Sequence, residues 1–238
     1  MKKKQKRLKG AIIVIIIVGI LFGGFYIYTL DYYRVNAMDI EKLEASQVSI
    51  DSDDQRTIFY PDDDIDRSTA LVFYPGGKVE YTAYTPLLVK LAEEGITGIL
   101  VNMPFNLAVF NINAADKIFD LLPNIKNWYI GGHSLGGAMA SSYASDNSES
   151  IKGLILLAAY PVDDISMPVL AVYGSNDGVL DITKLQNIKS IVEIEGGNHA
   201  YFGNYGEQDG DGTASITREE QQEETVAAIM DFIKSNQE

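Results

Sequence analysis

The 238-residue chain is long enough for one globular domain with a short appendage, and its 46% of apolar and 22% of charged residues are ordinary for a protein with a buried core. It carries 33 acidic against 19 basic residues, a formal charge of −14, and so strongly acidic a chain is excluded as a nucleic-acid-binding protein, which needs clustered lysine and arginine. The chain has no cysteine, which excludes disulfides, thiolate nucleophiles and cysteine-ligated metal centres.

A basic head and a long apolar run open the sequence. Residues 1–9 contain six basic side chains and no acidic one, and residues 10–30 contain no charged side chain. About 20 helical residues span the roughly 30 Å hydrocarbon core of a membrane, so the run predicts a transmembrane anchor with tyrosines at the interface. Because basic flanks stay in the cytoplasm, residues 1–9 are predicted to be cytoplasmic and residues 31–238 to lie on the extracytoplasmic side of the membrane.

A cleaved signal peptide is the alternative for the same segment. Signal peptides normally have an apolar region of about 7–15 residues that ends in small residues at the cleavage site. Here the run is longer and ends in the bulky sequence YIYTLDYY. An uncleaved anchor is therefore favoured. A juxtamembrane linker is predicted at 31–44, with a short helix over 37–45, and a globular domain at 45–238.

From about residue 48 the chain alternates between short apolar runs and amphipathic stretches. Several of the runs are apolar throughout, which is typical of strands covered on both faces. This alternation predicts an α/β fold, a mostly parallel sheet with helices on both faces, whose ligands bind at the carboxyl ends of the strands. The predicted strands lie at 57–60, 70–74, 96–102, 128–131, 153–158, 169–173 and 191–194, and the helices at 81–94, 114–122, 135–145, 182–187 and 217–234.

The sequence GGHSLGG at 131–137 lies between a predicted strand and a predicted helix. It has the form and the context of a nucleophile elbow, a turn so tight that the residues two positions before and after the serine must be small. The turn lifts the Ser134 hydroxyl above the sheet and points the amide of Leu135 to where an acyl oxyanion would form, at the helix N-terminus. Ser134 is therefore the predicted nucleophile and Leu135 a predicted oxyanion donor.

A serine nucleophile needs a base, and the chain contains only two histidines. His133 adjoins Ser134, and adjacent side chains diverge in such a turn, so His133 is a poor base. His199 lies in GGNHA at 196–200, after the last predicted strand, where the chain order serine, aspartate, histidine places the base. We therefore predict that His199 is the base.

The carboxylate that orients this base should follow another strand. Asp177 lies in a turn-rich stretch four residues after the strand at 169–173. There it would hold the His199 imidazole in the correct tautomer and stabilise the imidazolium. Three other aspartates remain as alternatives, although they start a helix or follow a different strand: Asp181, Asp163 and Asp164.

A second oxyanion donor is predicted in YPGGK at 74–78, directly after the strand at 70–74. Glycine lets the backbone approach a substrate closely. The amide of Gly77 is the predicted donor, with Lys78 as the alternative donor and a plain turn as the alternative interpretation of the loop.

The segments GGHSLGG, YGSND at 173–177 and GGNHA, in this order and spacing, resemble the α/β-hydrolase family over about residues 45–235. The run GGNHAYFGNYG followed by GDGTA is similar to a compact bacterial branch often likened to dienelactone hydrolases. The resemblance implies an eight-stranded sheet, one strand more than the pattern locates, and a two-step acyl-enzyme mechanism. Dienelactone hydrolases proper use a cysteine nucleophile, which this chain lacks, so lactone specificity is not implied.

The loops around the predicted site indicate an open pocket. Residues 159–167 are too few for the lid domain that many members of the family carry between these two strands. The apolar stretch 104–110 is the predicted wall of the pocket, with core packing of part of it as the alternative, and the loop at 203–213 is a candidate to fold over the site. Asp209 and Asp211 in that loop hint at calcium, but the EF-hand spacing is absent, so no metal is predicted; nor is any cofactor.

The leading functional prediction is hydrolysis of a small-molecule carboxylic ester by a membrane-anchored enzyme. Acyl transfer to cell-envelope components is a related alternative, favoured by an outward-facing anchor. A non-catalytic surface-binding module is the alternative from a different class. It would be expected to lack a triad residue, and none is lacking here. The sequence specifies neither the acyl and alcohol groups nor the number of subunits.

Overall fold

The structure is a computed structural model that describes residues 2–36, 48–62 and 64–236. The short helix predicted over 37–45 lies outside the described residues. The chain divides into two units, residues 1–32 and 33–238.

The first unit is a single helix, α1 (Lys2–Leu30). Its segment Lys9–Leu30 is 22 residues long and strongly apolar, and all of its residues except Phe25 and Thr29 are exposed. It is long enough to cross a membrane. A membrane anchor and a signal sequence both have these properties.

The second unit is built on one sheet, which has eight strands within the described residues. The strands lie in the order β1-β2-β4-β3-β5-β6-β7-β8. β1 and β2 run antiparallel to their neighbours and the remaining pairs are parallel. The predicted mostly parallel, eight-stranded sheet is therefore confirmed. Its strands are β1 (Ser49–Ser52), β2 (Arg56–Tyr60), β3 (Thr69–Tyr74), β4 (Thr97–Val101), β5 (Asn127–His133), β6 (Gly153–Leu157), β7 (Val169–Gly174) and β8 (Ser190–Ile194).

The strand that the sequence pattern did not locate is β1. It lies at the edge of the sheet, pairs only with β2 among the described strands, and exposes all four of its residues. Its sequence SIDS has one apolar residue, Ile50, which is itself 49% exposed. An edge strand that buries nothing leaves no hydrophobic pattern to recognise.

Helices cover both faces of the sheet, as predicted. They are α2 (Thr85–Glu93), α3 (Asp116–Phe119), α4 (Leu135–Asp146) and α5 (Arg218–Ser235). Because side chains alternate along a strand, β3 sends Leu71 and Phe73 into the core beneath α2 and α5, and Ala70 and Val72 into the core beneath α3 and α4. Each face of the sheet therefore has its own apolar core.

Three of the predicted helices contain less α-helix than the pattern indicates. The helix predicted over 81–94 is the 3₁₀ turn Tyr81–Tyr84 followed by α2. The helix predicted over 114–122 is a 3₁₀ turn, Ile112–Ala115, followed by the single α-turn of α3. The helix predicted over 182–187 is the 3₁₀ turn Ile182–Leu185, of which only Leu185 is buried. A segment with so little apolar surface to bury cannot stabilise a longer helix by packing.

The described loops leave the carboxyl edge of the sheet without a lid domain. β6 ends at Leu157 and β7 begins at Val169, so the connection between them is short. The absence of a large lid from the described residues agrees with the prediction.

Residues 33–36 belong to the second unit and are hydrogen-bonded to its loops. The amide of Tyr33 donates to the Lys78 carbonyl at 2.8 Å, and the amide of Glu80 donates to the Tyr33 carbonyl at 2.9 Å. The amide of Asn36 donates to the Asn204 carbonyl at 2.8 Å. This segment, which the sequence analysis assigned to the linker, therefore bonds to the loops that follow β3 and β8. The linker boundary at residue 44 falls in the undescribed range and stays a prediction.

Candidate active site

The predicted nucleophile forms the whole connection between β5 and α4. Ser134 follows the last residue of β5 and precedes the first residue of α4, and its backbone has φ 51° and ψ −122°. Its amide donates to the Leu157 carbonyl of β6 at 2.9 Å. A serine in this part of φ/ψ space stores about 1–3 kcal/mol of strain, which usually persists only where function requires the conformation.

The two glycines of the elbow leave no room for a side chain. A β-carbon on Gly132 would lie 2.5 Å from the Tyr74 carbonyl oxygen and 2.7 Å from the carbonyl carbon of Gly136. A β-carbon on Gly136 would lie 2.3 Å from the carbonyl oxygens of Tyr74 and Pro75. Backbone atoms therefore already occupy the space that side chains at positions 132 and 136 would need, which explains why both residues must be small.

The structure brings the predicted base and acid together. His199 follows β8 and Asp177 follows β7, and the Nδ1 atom of His199 lies 2.9 Å from Oδ2 and 3.2 Å from Oδ1 of Asp177. Both side chains are 1% exposed. The Oδ1 atom also accepts from the amides of Val179 and Leu180, each at 2.8 Å. The carboxylate is thus fixed by its own loop, and Nδ1–H donates to it.

The alternative acids lie elsewhere. Asp181 is exposed and accepts hydrogen bonds from Thr183, whose backbone amide it caps. Asp163 and Asp164 are exposed in the connection between β6 and β7. Within the described part of the chain, Asp177 is the carboxylate that contacts the His199 ring.

The other nitrogen of His199 has the properties that a general base needs. Its Nε2 atom is buried and forms no hydrogen bond with any described residue. The centre of the His199 ring lies 4.6 Å from that of His133, the residue before Ser134. The His199 ring therefore lies beside His133 of the elbow, and no hydrogen bond joins its Nε2 to the Ser134 hydroxyl. Such catalytic bonds often shorten only when substrate binds.

The predicted oxyanion donors lie side by side. A β-carbon on Gly77 would lie 2.7 Å from Cδ2 of Leu135, so the loop after β3 packs directly on the first residue of α4. The amide of Lys78 donates to the Asn106 carbonyl at 2.8 Å and is occupied. The Gly77 amide has no acceptor among the described residues, and the Leu135 amide belongs to the first helical turn, whose N–H groups have no partner within the helix. This geometry favours Gly77 over Lys78.

His133 links the predicted base, His199, to residues 75–78, the loop after β3 that carries the predicted donor Gly77 and is called the oxyanion loop below. The sequence analysis did not predict this role. Its Nε2–H donates to the His199 carbonyl at 3.0 Å, and its Nδ1 accepts from the Tyr84 hydroxyl at 2.8 Å. That hydroxyl in turn accepts from the amide of Gly76 at 3.1 Å. Burial and the neighbouring His199 hold the pKa of His133 well below its usual value, so it stays neutral. With both nitrogens occupied, His133 is a structural bridge.

This lowered pKa predicts a pH-dependent contribution to stability. Above the ordinary histidine pKa of 6.5, residue 133 is neutral in both the folded and the unfolded chain. At lower pH the unfolded chain binds a proton that the folded chain does not, which lowers the free energy of unfolding by up to about 1.4 kcal/mol per pH unit. We expect the stability difference between the wild type and His133→Gln to shrink as the pH falls from about 7 to about 5. Denaturant unfolding of both proteins in detergent measures this difference, and parallel curves would contradict the assignment.

An aromatic pair follows β4 beside the oxyanion loop. Phe105 and Phe110 are 52% and 51% exposed, and their rings meet edge to face with centres 5.7 Å apart. Phe105 and Asn106 have φ values of 57° and 55°, and the Asn106 carbonyl accepts from the Lys78 amide. The apolar stretch predicted at 104–110 is therefore tied to the oxyanion loop, while its Leu107 is buried in the protein.

No group of three or more histidine, aspartate or glutamate side chains within the described residues is arranged to hold a metal ion. Asp211 is one of the two aspartates whose loop composition hinted at calcium, and both of its carboxylate oxygens accept hydrogen bonds from backbone amides.

Comparisons with known proteins agree with this architecture. A model of the alpha/beta hydrolase family matches residues 70–223, more than half of the chain. Among solved structures, Est1E from Butyrivibrio proteoclasticus with ferulic acid bound has a TM-score of 0.59 at 15% identity, covering 79% of this chain and 96% of that chain. Dienelactone hydrolase from Anabaena variabilis has a TM-score of 0.58 at 13% identity, covering 78% of this chain and 98% of that chain. A search of curated proteins found no match.

The two solved structures share the fold with this chain, and at such low identities the likeness extends no further. The range matched by the family model contains Ser134, Asp177 and His199.

Proposed function

Because the chain belongs to the alpha/beta hydrolase family, we propose that it is a serine hydrolase that cleaves carboxylic esters through Ser134, His199 and Asp177. The observation that carries the proposal is the buried pair of Asp177 and His199, 2.9 Å apart, which leaves the Nε2 lone pair of the histidine turned away from its carboxylate partner. A buried, oriented imidazole next to a strained serine is the arrangement that generates a serine nucleophile at neutral pH.

The proposed reaction has two steps. Nε2 of His199 takes the hydroxyl proton as Ser134 Oγ bonds to the ester carbonyl carbon, and the same proton passes to the leaving alcohol when the C–O bond breaks. Water then attacks the acyl-enzyme, gives its proton to Nε2, and releases the carboxylic acid as the proton returns to Ser134. Asp177 holds the ring through Nδ1–H and stabilises the imidazolium in both steps.

The amides of Gly77 and Leu135 are the proposed oxyanion donors. Leu135 is the first residue of α4, so its amide adds to the positive end of the helix dipole. Gly77 packs against the Leu135 side chain. It belongs to the loop after β3, which Tyr84 holds by accepting a hydrogen bond from the Gly76 amide. One such donor typically contributes about 10²–10³-fold in kcat.

The aromatic pair supports an ester with an apolar or aromatic group as the substrate. Phe105 and Phe110 expose about half of their surface and belong to the loop that bonds to the oxyanion loop. One of the structurally similar proteins, Est1E, holds ferulic acid, an aromatic acid. Flat apolar surface beside the reacting carbonyl would gain contact with such a group.

Nitrophenyl esters of acetic, butyric, octanoic and cinnamic acid test this proposal on the full chain in detergent. We expect turnover of this series, with octanoate or cinnamate favoured by kcat/KM over acetate. Phe105→Ala should remove much of this preference and leave acetate turnover within about threefold of the wild type. The substitution removes an apolar contact that only the larger acyl groups would make. No hydrolysis of any ester would contradict the proposal. Transfer of the acyl group to an added alcohol in preference to water would reassign the enzyme as an acyltransferase.

We also propose that α1 stays attached as a membrane anchor and that residues 31–238 lie on the extracytoplasmic side of the membrane. The proposal is supported by the length and exposure of Lys9–Leu30 and by the basic residues before it. Protease added to intact cells should remove the hydrolase unit and leave a fragment containing α1 in the membrane.

A further inference from the structure

A second aspartate reaches the loops that carry the base and the acid. The Oδ1 atom of Asp211 accepts from the amides of His199 and Gly178, each at 3.1 Å, and from the amide of Gly212 at 2.8 Å. Its Oδ2 atom accepts from the amide of Ala200 at 2.9 Å. One carboxylate therefore binds four backbone N–H groups.

These amides come from both sides of the Asp177–His199 pair. Gly178 is the residue after Asp177, on the loop that follows β7, and His199 and Ala200 lie on the loop that follows β8. Beyond the last paired residues of β7 and β8, the two loops bond directly to each other as far as the Asn176 amide, which donates to the Gly197 carbonyl at 2.8 Å. Asp211 extends this link to Gly178 on one loop and to His199 and Ala200 on the other, with hydrogen bonds to a carboxylate, which are stronger than neutral ones.

The chain around Asp211 is fitted closely to the same loops. A β-carbon on Gly212 would lie 1.9 Å from the Asn176 carbonyl oxygen, so only glycine allows this approach. The Gly212 carbonyl accepts from the side-chain amide of Asn198 at 2.9 Å. The buried Gln221 of α5 both donates to and accepts from the backbone of Asn198, at 2.8 Å and 2.9 Å. The peptide before His199 is therefore fixed from two directions.

We propose that Asp211 is a positioning residue, which holds the Asp177 and His199 loops at the spacing that their hydrogen bond requires. The proposal rests on the proposed serine hydrolase activity, since it assigns Asp211 to the geometry of that reaction. Asp211 acts through His199 and Asp177 and has no direct part in the chemistry.

Asp211→Asn tests this role with a minimal change of shape. The carboxamide offers one accepting oxygen, so its NH₂ group must face either the Ala200 amide or the amides that Oδ1 now binds, donor against donor. We expect kcat to fall about 100-fold with KM within about threefold, as for other small displacements of a catalytic group. Asp209→Asn, in the same loop, is the matched control. It should retain wild-type kinetics, because the Asp209 side chain has no hydrogen-bond partner among the described residues, and its backbone amide, which bonds to the Tyr33 hydroxyl, is unchanged.

A double-mutant cycle separates positioning from general stability. If Asp211 acts by aligning Asp177 with His199, Asp211→Asn should lower kcat by no more than about threefold in an Asp177→Asn background, where the carboxylate that this alignment serves is already absent. An equal loss in both backgrounds would overturn the proposal, as would wild-type kinetics of Asp211→Asn or loss of its near-ultraviolet circular dichroism. A wild type without esterase activity would instead refute the proposed function.

Discussion

Ser134→Ala is expected to abolish ester turnover, with kcat lowered about 10⁶-fold, because the only atom that can form the acyl-enzyme is removed. The variant should fold like the wild type, since alanine keeps the backbone amide that bonds to the Leu157 carbonyl. The measurement is hydrolysis of the best nitrophenyl ester by the full chain in detergent, with circular dichroism as the check of folding.

The matched control is Ser150→Ala, which removes a hydroxyl from an exposed serine after α4. It should retain wild-type kcat and KM. Comparable turnover by Ser134→Ala and the wild type would show that the hydrolysis arises elsewhere.

Asp177→Asn is expected to lower kcat by about 10⁴-fold and to leave KM nearly unchanged. The asparagine side chain can present an N–H group to Nδ1 of His199, which stabilises the tautomer that carries its proton on Nε2, where the reaction needs a lone pair. The carboxylate is 1% exposed and 2.9 Å from Nδ1, so water cannot replace it easily.

Asp181→Asn is the control for this variant. Asp181 was an alternative acid by sequence, lies four residues further along the same connection, and is exposed. It should keep wild-type kinetics, and a loss of activity in Asp181→Asn equal to that in Asp177→Asn would contradict the assignment of the acid.

The sequence predicted the sheet, and it singled out Ser134, His199 and Asp177 as the candidate triad, because each of these features has a strong local signal. Buried parallel strands are apolar throughout, and the elbow needs glycine at two fixed positions around Ser134. The scarcity of histidine left His199 as the eligible base. The position of Asp177 after β7 then followed from the chain order.

Other features depend on contacts between distant segments and have no such signal. The preference for Gly77 over Lys78 as the proposed donor rests on the Asn106 carbonyl, which lies in the next connection and occupies the Lys78 amide. The bridging role of His133 depends on Tyr84, 49 positions away. A pairing of this kind is visible only once the fold brings the segments together.

Asp211 is a residue for which the loop composition and the structural environment indicate different roles. Its position in an acidic, glycine-rich loop hinted at calcium, but its oxygens accept hydrogen bonds from the amides of the Asp177 and His199 loops. A carboxylate with several backbone donors needs no cation to be satisfied. Sequence composition does not distinguish these two environments.

Labelling with a fluorophosphonate tests the central claim most directly, because the probe requires an activated serine and no knowledge of the substrate. Oγ of that serine bonds to phosphorus as fluoride leaves, and peptide mass spectrometry identifies the modified residue. We predict one adduct, on Ser134, in the full-length wild type, and strongly slowed labelling in Asp177→Asn. An unmodified Ser134 in the folded protein, or an adduct on a different serine, would contradict the account.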